Sequence, residues 1–188
     1  KPRVHGILRL TKQLRIVYKP LGVVGIITPW NGPVVLAINP AVQALLAGNA
    51  VIIKPSEVTP FCGQLVGRLF AEAGLPDGLV QVLLGDGETG QALIEARPDK
   101  ISFTGSVETG RKVGEACGRL LIPCTLELGG KDAMIVFADA NLTRAAAGAA
   151  WGALTTTGQS CTSVERVYVE RPIYDAFRAE LVRQVQGL

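Results

Sequence analysis

The chain has 188 residues, of which 48% are apolar, and this is enough to bury an ordinary globular core. Its 19 basic and 16 acidic residues are scattered without a run and give a net charge of only +3, which excludes a basic surface for nucleic acid or a membrane. No apolar stretch approaches the roughly 18 residues of a membrane span, and the first residues do not resemble a signal peptide. We therefore expect a soluble, cytoplasmic protein that binds a small neutral-to-anionic molecule.

Strands and helices alternate from the beginning of the chain. The spacing of apolar residues predicts strands at 14–18, 23–28, 50–53, 79–84 and 100–103. Helices are predicted at 34–47, 60–73, 88–96 and 106–119, and the second of these begins at Thr59-Pro60, with a capping hydroxyl and a proline at the first helical position. The alternation predicts an α/β fold, with a Rossmann-like parallel sheet and helices on both of its faces.

The pattern changes after residue 123. Two strands are predicted at 124–128 and 133–137, on either side of the turn at Gly129-Gly130. An alanine-rich helix begins at Asn141, and one more strand and helix follow at 166–169 and 172–186. We place a domain boundary near Gly130-Lys131, so that residues 131–188 begin a second α/β domain.

Cysteine and histidine usage excludes several kinds of active site. The four cysteines, at 62, 117, 124 and 161, form no Cys-x-x-Cys pair and show no metal-ligand spacing, so we expect no metal. His5 is the only histidine, and a Ser-His-Asp triad, a Cys-His pair or a histidine-rich metal site is therefore hard to build.

Two glycine-containing segments could hold phosphate. Residues 85–90 match G-x-G-x-x-G between a strand and a helix. The dinucleotide fingerprint normally follows the first strand of the fold, whereas this segment follows a later one. The alternative is a plain turn before a helix. Residues 103–110 also join a strand to a helix and present free N–H groups and hydroxyls, with a simple helix cap as the alternative. The P-loop pattern is not satisfied, which argues against an ATPase.

Cys161 and Glu127 are the candidates for chemistry. Cys161 lies in a small, polar, glycine-containing stretch, unlike the other three cysteines, which lie in apolar patterns. Glu127 lies in an apolar strand before a double-glycine turn, a setting that suits a general base. The alternatives are a buried structural cysteine and an edge-strand carboxylate that points at water.

Taken in order, five short motifs resemble the aldehyde dehydrogenase superfamily over the stretch from about residue 20 to the end of the chain. The motifs are Thr28-Pro29-Trp30-Asn31, Gly48-Asn49 with Lys54-Pro55-Ser56-Glu57, Phe103-Thr104-Gly105-Ser106, Glu127-Leu128-Gly129-Gly130-Lys131 and Gly158-Gln159-Ser160-Cys161. The resemblance implies that Cys161 adds to the aldehyde carbonyl. It implies that the Asn31 amide and the Cys161 N–H hold the oxyanion, and that Glu127 activates the water that hydrolyses the thioester.

The same resemblance implies an NAD site in which Lys54 and Glu57 bind the adenosine ribose and Ser106 contacts the pyrophosphate. A carboxylate at Glu57 would repel a 2′-phosphate, so NAD is favoured and NADP is the alternative. The residues implied at this site are Ile27, Thr28, Pro29, Trp30, Lys54, Ser56, Glu57, Gly87, Phe103, Thr104, Gly105, Ser106, Thr109, Leu128 and Gly129.

The resemblance also implies a division of the chain: 1–19 as the remnant of an oligomerisation strand, 20–130 as the NAD-binding domain and 131–188 as the beginning of a truncated catalytic domain. Family members are longer and form homo-oligomers, so a catalytically incomplete nucleotide-binding fragment is one alternative function, and transfer of the acyl group to coenzyme A is another. Thr156 stands where the family commonly has asparagine, and Glu165 is an unusual acidic residue so near the cysteine.

Overall fold

A computed structural model describes residues 6, 11–12 and 14–188 of the chain. Its strands are β1 (Val23–Ile27), β2 (Ala50–Lys54), β3 (Val80–Val82), β4 (Lys100–Gly105), β5 (Cys124–Leu128), β6 (Asp132–Val136) and β7 (Val164–Val169). Its helices are α1 (Val35–Leu46), α2 (Pro60–Glu72), α3 (Gly87–Glu95), α4 (Val107–Leu120), α5 (Leu142–Leu154) and α6 (Tyr174–Gln186). None of the helices in the described part is long and apolar enough to cross a membrane.

The larger sheet is entirely parallel and has the strand order β3-β2-β1-β4-β5. The chain winds outwards from β1 in one direction through β2 and β3, and then in the other direction through β4 and β5. The order therefore reverses between β1 and β4. In open sheets of this kind, the crevice at the carboxyl ends of the strands where the order reverses is the usual place for a ligand.

Helices cover both faces of this sheet, as predicted, and each face has its own core. Residues of α1 and α2 pack with Val24, Ile26 and the buried side chains of β2 on one face. Residues of α3 and α4 pack with Ile27, Ile101 and Phe103 on the other face. Because side chains alternate along a strand, consecutive residues of β1 supply both cores.

A second, smaller unit follows β5. The strands β6 and β7 pair in parallel in a sheet of their own. Val136 packs beneath α5 and α6 with Ala146, Ala149 and Phe177. The opposite face of this pair is open: Ile135 is 62% exposed and Tyr168 is 54% exposed. A two-stranded parallel sheet with one bare apolar face is marginal by itself, because parallel sheets are normally covered on both sides.

Two local predictions were wrong. Residues 14–18 form no strand, because no strand of the described chain forms a sheet ladder with them, and Val17 and Tyr18 are 72% and 91% exposed. The rest of the proposed oligomerisation strand lies mostly outside the described residues. Thr59 precedes α2 but makes no capping hydrogen bond. Its ψ of 56° departs from the extended conformation that directs a cap hydroxyl at the first turn. The other predicted strands and helices are confirmed, with ends that differ by a few residues.

Candidate active site

The larger of two neighbouring cavities lies at the carboxyl ends of β1, β2 and β4, where the strand order reverses, and has a volume of about 520 Å³. Every residue predicted for the cofactor lines this cavity except Leu128 and Gly129, which line the smaller cavity beside it. Three parallel strands thus bring together segments that are far apart in sequence, because the residues that follow parallel strands meet at one edge of the sheet.

The end of β1 contributes a buried hydroxyl to the larger cavity. The Thr28 N–H donates to the carbonyl of Lys54, 3.1 Å away, which ties the ends of β1 and β2 together. Thr28 is 4% exposed, and its Oγ1 has no hydrogen-bond partner among the described residues. An unpaired buried hydroxyl costs free energy, so this atom is available to a ligand in the cavity. Trp30 follows it and is 44% exposed.

Lys54 and Glu57 form an ion pair at the end of β2, with 3.0 Å between Nζ and Oε2. The lysine side chain is buried and the glutamate side chain is 55% exposed. A hydrogen bond from the backbone of Glu57 itself, followed by the one from Lys54, lowers the pKa of the Glu57 carboxyl below its ordinary value. Glu57 is therefore a carboxylate at neutral pH and projects from the wall of the cavity.

The loop between β4 and α4 closes the other side of the cavity. Ser106 caps α4, which is the alternative that the sequence left open for residues 103–110, because its Oγ accepts a hydrogen bond from the Thr109 N–H, 3.1 Å away. The next N–H groups, those of Val107 and Glu108, have no partner within the helix. The cap and the phosphate-binding interpretation are compatible, since the same turn both begins α4 and lines the cavity.

The G-x-G-x-x-G segment lies at the margin of the larger cavity, not at the switch point of the sheet. It follows β3, which is an edge strand. Gly85 has a φ of +154°, and a Cβ there would lie 2.0 Å from the Thr89 Oγ1. Gly87 and Gly90 line the cavity, and a Cβ on Gly90 would make only ordinary van der Waals contacts with Lys54 and Ile27. Within this segment, glycine is therefore required by the turn at Gly85.

The smaller cavity, of about 290 Å³, brings together Asn31, Glu127 and Cys161, the three residues predicted for catalysis. These residues come from the turn after β1, from β5 and from the loop before β7. Both cavities are lined by Pro29, Trp30, Thr104, Gly105 and Ser106. A molecule bound in the larger cavity can therefore reach the thiol side of the smaller one.

Tight turns hold the loop that carries Cys161. Thr156 and Thr157 both have left-handed backbones, with φ of 54° and 60°, and Gly158 continues with φ of 74°. The Asn31 Nδ2 donates to the Gln159 carbonyl over 2.7 Å, and the buried Ser163 hydroxyl donates to carbonyls at the end of α5. The Cys161 thiol is exposed, and its backbone N–H has no acceptor among the described residues.

Two acidic residues near Cys161 have different surroundings. Glu127 is exposed on β5, an edge strand, so the apolar enclosure expected for it is absent from the described chain, although it does line the smaller cavity. Glu165 forms an ion pair with Lys131 across the beginnings of β6 and β7. Glu165, the acidic residue beside the cysteine motif, therefore has a cationic partner.

Several residues that line the cavities were not predicted as site residues, although Gly90, Gly158, Gln159 and Ser160 lie in motifs that the sequence singles out. In the larger cavity they are Gly90, Gln91, Ile94, Lys112 and Val113; in the smaller one they are Leu36, Gly158, Gln159 and Ser160. Helical spacing could have found Lys112 and Val113, because they follow Thr109 by three and four positions on one face of α4. Lys112 is paired with Glu108 at 3.2 Å.

Comparison with known proteins decides the family. The family model described as "Aldehyde dehydrogenase family" matches residues 4–188, which is nearly the whole chain. The chain belongs to the aldehyde dehydrogenase family. Members of this family are oxidoreductases, and the α/β fold with its parallel sheet is the one that its solved members share with this chain.

Two curated relatives and one solved structure illustrate the family match. The 4,4'-diapolycopene aldehyde oxidase of a Methylomonas species is 53% identical over 93% of this chain and 33% of its own length. A Mycolicibacterium smegmatis protein named as a succinate-semialdehyde dehydrogenase [NADP(+)] is 45% identical over 99% of this chain and 36% of its own length. The chain thus spans about a third of the length of these curated relatives.

The structural match is similarly close. An NAD-dependent aldehyde dehydrogenase from Sinorhizobium meliloti superposes with a TM-score of 0.83 and is 44% identical. The superposition covers 88% of this chain and 34% of the solved one.

Proposed function

We propose that the protein oxidises an aldehyde to a carboxylic acid with NAD as the hydride acceptor. The observation that carries this proposal is the smaller cavity, in which a thiol, a carboxylate and a side-chain amide face one space that opens into the larger cavity. Family membership supports the same reaction.

The larger cavity fits a dinucleotide by the chemistry of its walls. The unpartnered Thr28 hydroxyl, the exposed carboxylate of Glu57 and the uncapped N–H groups at the beginning of α4 are suited to sugar hydroxyls and phosphate. Lys54 and Glu57 would hold the adenosine ribose, and Ser106 would lie at the pyrophosphate. NAD, when bound, supplies the acceptor for the hydride that leaves the substrate.

The chain's own residues would carry the remaining chemistry in three steps. The Cys161 thiolate forms a bond to the aldehyde carbon, and the carbonyl electron pair becomes an oxyanion beside the Asn31 amide and the free Cys161 N–H. Loss of hydride from that carbon restores the carbonyl as a thioester. Glu127 then takes a proton from water, whose oxygen attacks the thioester, and the bond to Cys161 breaks to release the acid and the thiolate.

The charges of the larger cavity favour NAD over NADP. Glu57 is a carboxylate at neutral pH and would repel a 2′-phosphate. The two lysines of the cavity, Lys54 and Lys112, each have an acidic partner already, Glu57 and Glu108 respectively. Several relatives are named for NADP, whereas two solved neighbours are named for NAD. The preference proposed for this chain therefore rests on its own residues alone.

NADH formation with a simple aldehyde tests the proposal, with Cys161→Ser and Cys124→Ser as a matched pair because both cysteines are exposed. Cys161→Ser is expected to abolish NADH formation, and Cys124→Ser to retain it. If NAD binds and neither the wild-type chain nor Cys124→Ser forms NADH, a catalytically incomplete nucleotide-binding module is the better assignment. The presence of Glu127 argues against acyl transfer to coenzyme A, which needs no base for water.

The proposal also covers the domain organisation, the assembly and the location of the protein. Residues 20–130 would form the cofactor domain and residues 131–188 the beginning of the catalytic domain, which the two sheets with separate cores support. The bare face of β6 and β7 would then be covered by further catalytic-domain chain or by another subunit of a homo-oligomer. A reactive thiol has to stay reduced, and we therefore propose a cytoplasmic setting.

A further inference from the structure

We infer that Cys117 and Cys124 form a redox pair, which a peroxide converts into a reversible disulfide. The pair joins the last turn of α4 to the beginning of β5, whereas both cavities lie at the carboxyl ends of the strands. The inference therefore does not depend on the proposed oxidation of an aldehyde. All four cysteines of the chain are free thiols, so the structure shows the pair in its reduced form.

The packing of α4 on β5 places the two cysteines opposite each other. A Cβ on Gly114 would lie 3.3 Å from the Leu126 Cδ1, so these two residues face each other across the helix and the strand. The helix and the strand run in opposite directions. Cys117 lies one helical turn beyond Gly114, and Cys124 lies two positions before Leu126. The next pair of facing residues is therefore Cys117 and Cys124.

The register of the larger sheet gives the same direction for the Cys124 side chain. Cys124 pairs with Ile101 of β4, and paired residues of neighbouring strands have their side chains on the same face of a sheet. Ile101 lies in the core that also contains Cys117. The Cys124 side chain thus points to the α4 side of the sheet, and the two thiols share a hydrogen bond.

A tight turn between α4 and β5 already brings the two parts of the backbone together. Leu121 ends the helix in the left-handed conformation, with φ of 58°. The Ile122 N–H then donates a hydrogen bond to the Cys117 carbonyl over 2.9 Å, which is the pattern of a Schellman cap. A disulfide would thus close a short loop that is folded in the reduced chain.

The two thiols differ in their access to an oxidant. Cys124 is exposed, whereas Cys117 is completely buried. Burial raises the pKa of the Cys117 thiol to about 11, so Cys117 stays protonated at neutral pH and is a poor nucleophile for a peroxide in solution. Cys124 is therefore the sulfur that reacts first, and Cys117 is the thiol that resolves the product.

The oxidation has two steps, with hydrogen peroxide as the oxidant. The Cys124 sulfur attacks one peroxide oxygen, the O–O bond breaks, and the products are a sulfenic acid and one water. The Cys117 sulfur then attacks the Cys124 sulfur, the S–O bond breaks, and the thiol proton leaves with the hydroxide as a second water. Two thiols are oxidised to one disulfide, and one peroxide is reduced to two waters. The disulfide protects Cys124 from irreversible oxidation to a sulfinic acid.

Peptide mapping after treatment of the whole chain with hydrogen peroxide tests the pair. The remaining thiols are blocked with iodoacetamide in denaturant, and trypsin then cleaves after Arg119, which places the two cysteines on peptides 113–119 and 120–131. We expect these two peptides to be joined by a disulfide and to separate after treatment with dithiothreitol. Oxidation of Cys124 without this link, or a link mainly to Cys62 or Cys161, would overturn the inference.

Matched variants test the two roles within the pair. In Cys117→Ala, the same dose of peroxide should increase the sulfinic acid on Cys124 severalfold, whereas Cys62→Ala should keep the wild-type link. In Cys124→Ala, which changes an exposed residue, Cys117 should stay a thiol that iodoacetamide alkylates in denaturant. An unchanged amount of sulfinic acid in Cys117→Ala, or loss of the Cys117 thiol in Cys124→Ala, would contradict the assigned roles.

Discussion

The side-chain amide of Asn31 donates a hydrogen bond of 2.7 Å to the backbone carbonyl of Gln159, which lies 128 positions further along the chain. This bond ties the turn after β1 to the loop that carries Cys161, and so connects the larger sheet to the smaller unit. One Nδ2 hydrogen is used in the bond and the second is free for an oxyanion. Asn31 would thus both position the cysteine loop and stabilise charge.

Replacement of Asn31 separates these two contributions. Asn31→Ala is expected to lower kcat about 100-fold, because one oxyanion donor is lost, and to increase amide hydrogen exchange in residues 158–161, because the loop loses its tether. Gln43→Ala is the control, since it removes an exposed side-chain amide of α1 that lines neither cavity. Unchanged kcat with faster exchange would leave Asn31 with a positioning role alone.

Replacement of Glu127 tests the hydrolytic step. Glu127→Gln removes the proposed base but keeps the shape of the side chain, so a thioester on Cys161 is expected to accumulate and to add the acyl mass to the protein after aldehyde and NAD are mixed. Glu165→Gln is the matched control, because Glu165 pairs with Lys131 and should not be needed for release of the acid. Normal turnover in Glu127→Gln would remove the role of Glu127.

Glu57 is expected to set the cofactor preference. Titration of the wild-type chain, monitored by the quenching of Trp30 fluorescence, should show tighter binding of NAD than of NADP. Glu57→Gln should reduce the ratio of the two dissociation constants, because it removes the repulsive carboxylate. Trp151 lines neither cavity and is 74% exposed, so Trp151→Phe should keep the quenching signal. Tighter binding of NADP to the wild-type chain would contradict the account of Glu57.

Thr156→Asn is expected to stabilise the protein. Thr156 has a left-handed backbone, with φ of 54°, and a β-branched side chain is strained there while asparagine is tolerated. The gain should be about 1 kcal/mol in the free energy of unfolding, or a rise of about 2–4 °C in Tm. Thr155, with φ of −55° and ψ of 133°, is the control position, where asparagine should bring no gain. A lower Tm for Thr156→Asn would show that the threonine itself is needed.

Cys117 is expected to make the free energy of unfolding depend on pH in the alkaline range. Burial raises the pKa of the Cys117 thiol from 9.0 to about 11. Because the pKa of this thiol is higher in the folded chain than in the unfolded chain, the protonated thiol contributes fully to stability below pH 9. This contribution is lost as the pH rises towards 11, because the unfolded chain releases the proton first. Cys117→Ala should reduce the slope of unfolding free energy against pH by up to about 1.4 kcal/mol per pH unit in that range. An unchanged slope would show that Cys117 does not control it.

The sequence predicted the elements of the larger sheet because their signals are local. Buried runs such as 50–53 and the cap at Ser106 need only short-range spacing to be recognised. The strand at 14–18 failed for the opposite reason: a strand exists only when another strand pairs with it, and a run of apolar residues does not say whether that partner is present. The missing cap at Thr59 depends likewise on backbone angles that residue type does not determine.

The residues of the candidate site could be predicted from the sequence, but the surroundings of those residues could not. Asn31, Glu127 and Cys161 could be found from motifs, but their meeting in one cavity depends on the order of the strands. The sequence left open whether Glu127 has an apolar setting or lies on an exposed edge strand, and it could not reveal that Lys131 lies opposite Glu165. Such pairings depend on the register between β6 and β7, which is set by tertiary packing.

The most direct measurement of the central claim is the rate at which iodoacetamide alkylates each cysteine at neutral pH. Cys161 and Cys124 are both exposed, whereas Cys117 is buried and Cys62 is partly buried, so exposure alone predicts equal labelling of the first two. A nucleophilic Cys161 beside the free backbone N–H and Asn31 should react faster than Cys124, and aldehyde should slow only Cys161. Equal, slow labelling of Cys161 and Cys124 that aldehyde does not change would contradict the assignment of Cys161 as the nucleophile.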